Sequence, residues 1–409
     1  MFKLRDYQLI CANKAIEILT NNWIVYLALE VRCGKTAISL ETAKLYGAKD
    51  VLFLTKKKAI KSIQNDCKNF GYTFNLTVIN NESLHLLEGK FDLIICDEHH
   101  RCGTYPKPNK VTKLIKERYS NLPMIFLSGT PHPESYSQIY HQFWISNYSP
   151  LKSWTNFYKF AQVFVNIKQK HFGYAKINDY SDCNYDKIKP IIDKYFVTYT
   201  QKDAGFTTEV KENILRVRLK DYTYDLIKRL DKDKVVQGKN EVLLGDTAVK
   251  LMSKTHQLFS GTVKFESGNT MTIDDSKALF IKDRFKEKIA IFYKFKAEYD
   301  CLKEIYKDEL TDNLEEFNST NKSIALQIVS GREGISLSNA KYLVYYNIDF
   351  SALSYWQSRD RLTTMDRLTN DIYWIFSEGG IEDKIYKAVS NKKDYTLNVF
   401  KKDYVSISK

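Results

Sequence analysis

Short, mainly apolar runs alternate with helix-periodic stretches through the first third of the chain. The runs are Trp23–Leu29, Val51–Thr55, Leu76–Ile79, Phe91–Cys96 and Met124–Leu127. Each is continuous rather than alternating, the pattern of a strand covered on both faces. Between them, apolar residues recur at helical spacing over Leu9–Leu19 and Ala37–Tyr46, and Lys56–Phe70 reads as a basic amphipathic helix. Strands and helices in strict alternation predict an α/β fold with a doubly wound parallel sheet. Polar residues gather just after the strands, which predicts a site along that sheet edge.

The pattern changes at Ser149. From there to Phe206 the segments are aromatic, lysine-rich and helical in character, predicting a helical linker or protrusion over 149–206. Val210–Leu219 reads as the first strand of a second sheet, and Tyr222–Leu258 as a helical insertion near 220–260. Gly261–Ile273 reads as a hairpin turning at Gly268-Asn269. Buried strands return at Lys288–Phe295, Ala325–Val329 and Tyr342–Tyr346. The expected division is 1–148, 149–206 and 207–409, and a chain of 409 residues has ample core for two domains.

Composition narrows the classes. Met1–Asp6 leads into an amphipathic stretch rather than an apolar signal region, and no apolar run has the length of a membrane span. The seven cysteines show no paired spacing, so reduced thiols and a cytoplasmic setting are expected. A net charge of +13 points to a polyanionic partner, but only 12 of the 62 basic residues are arginine. Lysine, asparagine, isoleucine and tyrosine are all abundant, the signature of an AT-rich coding sequence, so the arginine positions say more than the total. Arg32, Arg332, Arg359, Arg361 and Arg367 all fall within motif-like segments.

The candidate chemistry starts at Glu30-Val31-Arg32-Cys33-Gly34-Lys35-Thr36, between the first strand and a helix. Strand, loop and helix with Gly-Lys-Thr at the joint is the setting of a phosphate loop. Helix N-terminal N–H groups hold phosphate, the lysine reaches the β/γ-phosphates and the threonine binds Mg²⁺. Leu29 stands where the full pattern has its first glycine. Asp97-Glu98, at the end of the fourth strand, adds a carboxylate for Mg²⁺ and another to orient water. Cys96, His99, His100 and Cys102 lack zinc-site spacing, and a metal cage there would collide with the nucleotide.

Arg5-Asp6-Tyr7-Gln8, Gly34-Lys35-Thr36, Asp97-Glu98-His99-His100 and Ser128-Gly129-Thr130-Pro131 occur in that order. Together they resemble the first-domain motifs of superfamily 2 helicases and translocases of the DEAD/DEAH type. The second half continues the likeness with Lys288–Phe295 (motif IV), Ser330–Leu337 (motif V) and Tyr355–Arg361 (motif VI). Tyr199–Asp203, His256-Gln257-Leu258 and Gly380–Tyr386 are most similar to the Swi/Snf-type branch and its short phage relatives.

The resemblance implies two RecA-like domains with ATP in the cleft between them, and a nucleic acid, DNA by branch, as the track. Arg5 and Gln8 would lie on the adenine side. Arg32, Cys33, Gly34, Lys35 and Thr36 would hold phosphates, with Thr36 and Asp97 on Mg²⁺ and Glu98 on the water. Gln357 and Arg361 would act from the second domain, Arg361 as arginine finger. The family's second motif VI arginine falls here on Thr364, with Arg359 and Arg367 nearby. Thr55, Lys56 and Lys57 resemble motif Ia, which holds nucleic-acid phosphates, and Arg332 would do the same in the second domain. Ser128 and Thr130 sit where the family couples nucleotide state to the track. Two other readings stay open: a nucleic-acid clamp of weak catalytic power, and the motor subunit of a restriction or remodelling complex. No membrane partner is expected.

Overall fold

The computed structural model describes residues 2–133, 135–172, 175–238, 240–331, 335–364 and 367–391. The chain forms two compact units, Met1–Phe206 and Thr207–Lys409. Each is an α/β unit around its own six-stranded, all-parallel sheet, as two RecA-like domains require.

The first sheet contains β1 (Ile24–Leu29), β2 (Asp50–Thr55), β3 (Asn75–Asn80), β4 (Leu93–Cys96), β5 (Met124–Leu127) and β6 (Phe196–Tyr199), in the order β3-β2-β4-β5-β1-β6. Alternation along β1 explains its unbroken apolar run. Ile24 and Tyr26 enter one core, while Val25, Leu27 and Leu29 enter the other. The second of these cores is roofed by α1 (Asp6–Asn22), α2 (Lys35–Tyr46) and α3 (Ile60–Phe70), through residues such as Ala15, Ile38 and Ile63. The first is covered by α4 (Lys110–Tyr119), α5 (Ile139–Trp144), α6 (Phe157–Phe164) and α7 (Tyr185–Ile192).

Residues 149–206 depart from the expected linker. Helices α6 and α7 lay Phe157, Phe160, Ile188 and Ile192 into the first unit's core, with a hairpin between them (Lys168–Phe172 with Ala175–Asp179). Strand β6 then pairs with β1, and Phe196 stacks on Tyr26 with ring centroids 4.6 Å apart. Of the aromatic residues that made this stretch look like a separate element, Phe157, Phe160, Phe164, Tyr180 and Tyr195 are buried core of the first unit. The basic helix expected from Lys56 starts with a 3₁₀ turn, Lys57–Ala59, before α3.

The second sheet contains β7 (Glu209–Val217), β8 (Ile289–Tyr293), β9 (Leu310–Thr311), β10 (Ser323–Gln327), β11 (Tyr342–Tyr345) and β12 (Thr369–Ser377), in the order β9-β10-β8-β11-β12-β7. Its first strand pairs with its last over nine residues, Glu209 opposite Thr369 through Val217 opposite Ser377. Tyr222–Leu258 resolves into α8 (Asp221–Asp233), a hairpin (Val235–Gln237 with Val242–Leu244) and α9 (Ala248–Phe259). Leu230, Leu251 and Leu258 pack these elements into the sheet's own core, so the segment is one of its layers rather than a projecting insertion. The hairpin expected at Gly261–Ile273 forms as Thr262–Lys264 with Thr270–Thr272, and Gly268 turns it at φ 95°.

The opposite face carries α10 (Ser276–Arg284) and α11 (Lys296–Tyr306), with α12 (Leu314–Ser319) and α13 (Ile328–Gly331) in the connections. Helices α14 (Ala352–Arg359) and α15 (Glu382–Ser390) complete the unit on the α9 side. Lys277 on α10 and Glu382 on α15 form an ion pair of 2.8 Å with both side chains fully buried. No helix among the described residues is long and apolar enough to cross a membrane, and all seven cysteines are unpaired.

Candidate active site

The first unit's polar residues collect where β1, β4 and β5 end. After Leu29 the chain passes through Glu30–Cys33 and enters α2 at Gly34, the helix N-cap, at φ 76°. A Cβ at Gly34 would meet Gln8 Nε2 at 2.1 Å, so only glycine fits under that amide. Gln8 is itself fixed, because the Arg5 backbone N–H donates to its Oε1 at 3.0 Å and opens α1. Arg5, Gln8 and Gly34 are thereby neighbours. Arg32 is also left-handed, at φ 70°, a conformation that costs a side-chain-bearing residue about 1 kcal/mol. Cys33 is buried, and burial foremost pushes its thiol up to about 11, with nearby Lys35 opposing.

Lys35 Nζ donates to the carbonyls of Leu29 (2.9 Å) and Glu30 (3.1 Å), which sets its ammonium at the end of β1. Thr36 follows in the first turn of α2. Three hydrogen bonds brace this loop from the far end of the unit. Glu30 N–H donates to the Tyr199 carbonyl (3.0 Å), Gln201 N–H to Glu30 Oε2 (2.7 Å) and Gln201 Nε2 to the Val31 carbonyl (2.9 Å). Tyr199 in turn stacks on Tyr7 at 5.3 Å.

The carboxylates follow β4. Thr55 Oγ1, at the end of β2, donates to Asp97 Oδ2 at 2.8 Å, and Glu98 N–H donates to Asp97 Oδ1 at 2.9 Å. Burial foremost, then the charge of Glu98, pushes the Asp97 carboxyl up to about 6, against the opposing pull of Thr55 and Lys35. Glu98 adopts a left-handed φ of 49°, which turns its side chain sharply off the strand. His100 Nδ1 lies 3.3 Å from Glu98 Oε2 and 2.9 Å from Ser128 Oγ, and Ser128 Oγ accepts the Thr130 N–H at 3.1 Å. The carboxylate and the turn after β5 are joined through one imidazole.

His99 points elsewhere. It stacks on Phe126 at 3.8 Å and donates from Nε2 to the Gln142 carbonyl, and burial lowers its pKa to about 3, keeping it neutral. A Cβ on Gly129 would stand 3.6 Å from Lys35 Nζ, so the Ser128–Pro131 turn reaches the Gly34-Lys35-Thr36 loop. Thr130 Oγ1 is buried without a hydrogen-bond partner. A cavity of about 380 Å³ lies beside Asp97 and Glu98 and is also lined by Arg101, Asn109 and Lys110. No group of three or more possible metal-ligating side chains occurs among the described residues. The donor set here suits Mg²⁺ held with a nucleotide: a threonine hydroxyl and a carboxylate are hard oxygen ligands, and substrate phosphates complete such shells.

In the second unit Arg359, Arg361 and Arg367 are engaged at close range. Arg361 is buried, with Nε donating to the Gln357 carbonyl (3.0 Å) and Nη1 to the Ile335 carbonyl (3.2 Å). Gln357 Oε1 is buried and without a partner. Arg359 Nη2 meets Glu212 Oε1 at 2.5 Å, and its guanidinium lies 4.9 Å and 4.8 Å from the Tyr355 and Trp356 rings. Glu212 also accepts from the Tyr355 and Tyr386 hydroxyls and from Trp374 Nε1. Arg367 donates to the carbonyls of Thr369, Ser338, Ala340 and Lys341.

Solved structures similar over nearly the whole chain include two from one organism. The SWI2/SNF2 ATPase core of Sulfolobus solfataricus in complex with dsDNA is 16% identical, covers 98% of this chain and 92% of its own, and has a TM-score of 0.44. The ATPase core domain from the same organism is 16% identical, with coverages of 96% and 89% and a TM-score of 0.43. No family model matches the chain, and no curated protein matches it.

Among the residues singled out from the sequence, Lys35, Asp97, Glu98, Ser128 and Thr130 meet at one sheet edge. Thr55 corrects the expectation that it faces a track. Its side chain is 1% exposed and its hydroxyl is spent on Asp97, so it supports the carboxylate instead. Lys57 is exposed and Lys56 half-buried, whereas Arg332 lies outside the described residues. His100, Gln201 and Glu212 each hold a site residue with no local signal of doing so. Their partners lie 28, 170 and 143 residues away in sequence; the Asp97–His100 and Tyr199–Asp203 likenesses drew attention to two of them, but not to these partners.

Proposed function

We propose that the chain is a nucleic-acid-stimulated ATPase, a DNA helicase or translocase of superfamily 2 and the Swi/Snf-type branch. The observation that carries this reading is the convergence of Lys35, Asp97 and Glu98 at the C-terminal edge of one parallel sheet. There, Thr55 fixes the aspartate and Lys35 lies near enough to oppose its pKa rise. The ordered run of motif-like segments in both units supports the same reading.

In this proposal Lys35 and the loop Arg32–Thr36 hold the triphosphate of ATP, with Arg5 and Gln8 on the base side. Thr36 and Asp97 hold Mg²⁺, which neutralises charge on the phosphates. Glu98 orients the attacking water and accepts its proton, steadied by His100. Ser128 and Thr130 relay nucleotide state to the track, and Lys56, Lys57 and Arg332 face its phosphates. Gln357 and Arg361 belong to the second unit's share. Presenting Arg361 to a nucleotide requires exchange of its bonds to the Gln357 and Ile335 carbonyls. That engagement favours a second reading, a DNA clamp with little turnover.

The test is ATP turnover measured alone and with single-stranded, duplex and forked DNA and with RNA. The expected result is stimulation by DNA, loss of turnover in Lys35→Ala and a fall of about 10²–10⁴-fold in Glu98→Gln. Unchanged hydrolysis in both variants overturns the reading. DNA binding without turnover by the unaltered chain selects the clamp.

A further inference from the structure

We propose that Gln201 is a positioning residue for nucleotide binding, holding the phosphate loop in a conformation that the loop's own bonds secure only in part. This rests on the ATP-binding reading above. The loop has Leu29 where a glycine-rich one has its first glycine, and Arg32 is left-handed at φ 70°. Such a conformation persists only where the surroundings over-determine it. Beside the loop's own bonds from Lys35 Nζ and the Cys33 N–H, the surroundings include one distant segment: the Tyr199 carbonyl accepts the Glu30 N–H, the Gln201 N–H donates to Glu30 Oε2, and Gln201 Nε2 donates to the Val31 carbonyl. All three bonds end on the two residues immediately before Arg32, and none reaches toward a substrate.

The brace is itself rigid. Thr200 N–H and Oγ1 both donate to Asp203 Oδ2, and Asp203 N–H returns a bond to Thr200 Oγ1. Phe206 N–H donates to the Gln201 carbonyl at 2.9 Å, and the Tyr7–Tyr199 stack fixes the other end. Gln201 is therefore set on a closed turn, and its amide has a fixed aim. Thr200–Phe206 is also the last stretch of the first unit before the second begins at Thr207. The loop and the connector are thus tied at one side chain.

The test uses the full chain and Gln201→Met, which keeps length and apolar bulk but removes the donor. Binding of a fluorescent N-methylanthraniloyl ATP with Mg²⁺, KM and kcat for ATP, and Tm are measured together. The expected outcome is a rise in nucleotide Kd and KM of about three- to tenfold, the size of one hydrogen bond. Turnover at saturation and Tm stay essentially unchanged, a split that a general loss of structure does not give. In an Arg32→Gly background, where left-handed backbone costs nothing extra, the effect of Gln201→Met on Kd shrinks below about twofold. The inference is overturned by an unchanged Kd, by a lower Tm without a change in Kd, or by equal effects in both backgrounds. Failure of the unaltered chain to bind the analogue overturns the ATP reading along with it.

Discussion

The Lys35-bearing sheet edge of the first unit and the arginine-bearing helix of the second treat charged residues in opposite ways. At the first, Asp97 is held by the Thr55 hydroxyl and a backbone N–H with the Lys35 charge nearby, and Glu98 lies beside His100. At the second, every described arginine from 359 to 367 is occupied by an acceptor of the same unit. A carboxylate supported from behind by a hydroxyl and a backbone N–H keeps most of its field for a partner. Charges locked onto carbonyls and carboxylates hold the fold together. The difference teaches that a motif arginine and a structural arginine look alike in sequence and separate only by what receives their N–H groups.

The largest effect that tests this contrast is on stability. Arg359→Ala strips the Glu212 carboxylate of its guanidinium and removes the cover over Tyr355 and Trp356. With both partners about 15% exposed, the expected loss is about 2–3 kcal/mol, or roughly 5–10 °C in the second unit's Tm. The three neutral donors that remain on Glu212 keep the loss from being larger. Calorimetry of the variant checks it. An unchanged Tm would mean Arg359 is held for a partner after all.

Next in size is a pH effect at Asp97. A carboxyl raised to about 6 by burial and by Glu98 contributes stability that is complete below its unfolded value and is lost as pH rises through about 6. Its ionised form, the one the proposed Mg²⁺ role requires, therefore strains the fold. Turnover should fall as pH drops through about 6, whereas Asp97→Asn should raise Tm at pH 7.5 and have no turnover. A variant less stable than the unaltered chain at that pH would break the argument.

The smallest effect belongs to Thr55→Val, which keeps shape and removes the donor to Asp97 Oδ2. Because that bond lowers the Asp97 pKa, the acidic limb of the pH–rate profile should move to higher pH by less than about one unit. A shift to lower pH would contradict the assignment of Thr55 as support.

How much of this was legible in the sequence followed burial. β1, β2 and β5 were readable because both faces are covered and the apolar run is therefore continuous. β6 was not, because a four-residue edge strand with an exposed Thr198 offers too little apolar signal. The hairpin at Val235–Leu244 was masked by its lysine-rich, helix-like surroundings. In the site, spacing identified Lys35, Asp97 and Glu98, since the loop and the strand end define their places locally. The roles of Thr55, His100 and Gln201 depend on which distant strand ends lie side by side, and residue order does not carry that. Arg361 shows the same limit from the other side, because its motif position is plain while its acceptors are not.

The pairing of β7 with β12 governs when the second unit can finish folding during synthesis. Its first strand waits 152 residues, from Val217 to Thr369, for its neighbour, and Lys277 has no counter-ion until Glu382 emerges. At about 5–20 residues per second the ribosome takes roughly 10–30 s to supply them. The first unit has meanwhile emerged complete, so a nascent chain passes through an interval with one half closed and the other exposing an unpaired strand edge, the stage at which a chaperone has most to bind.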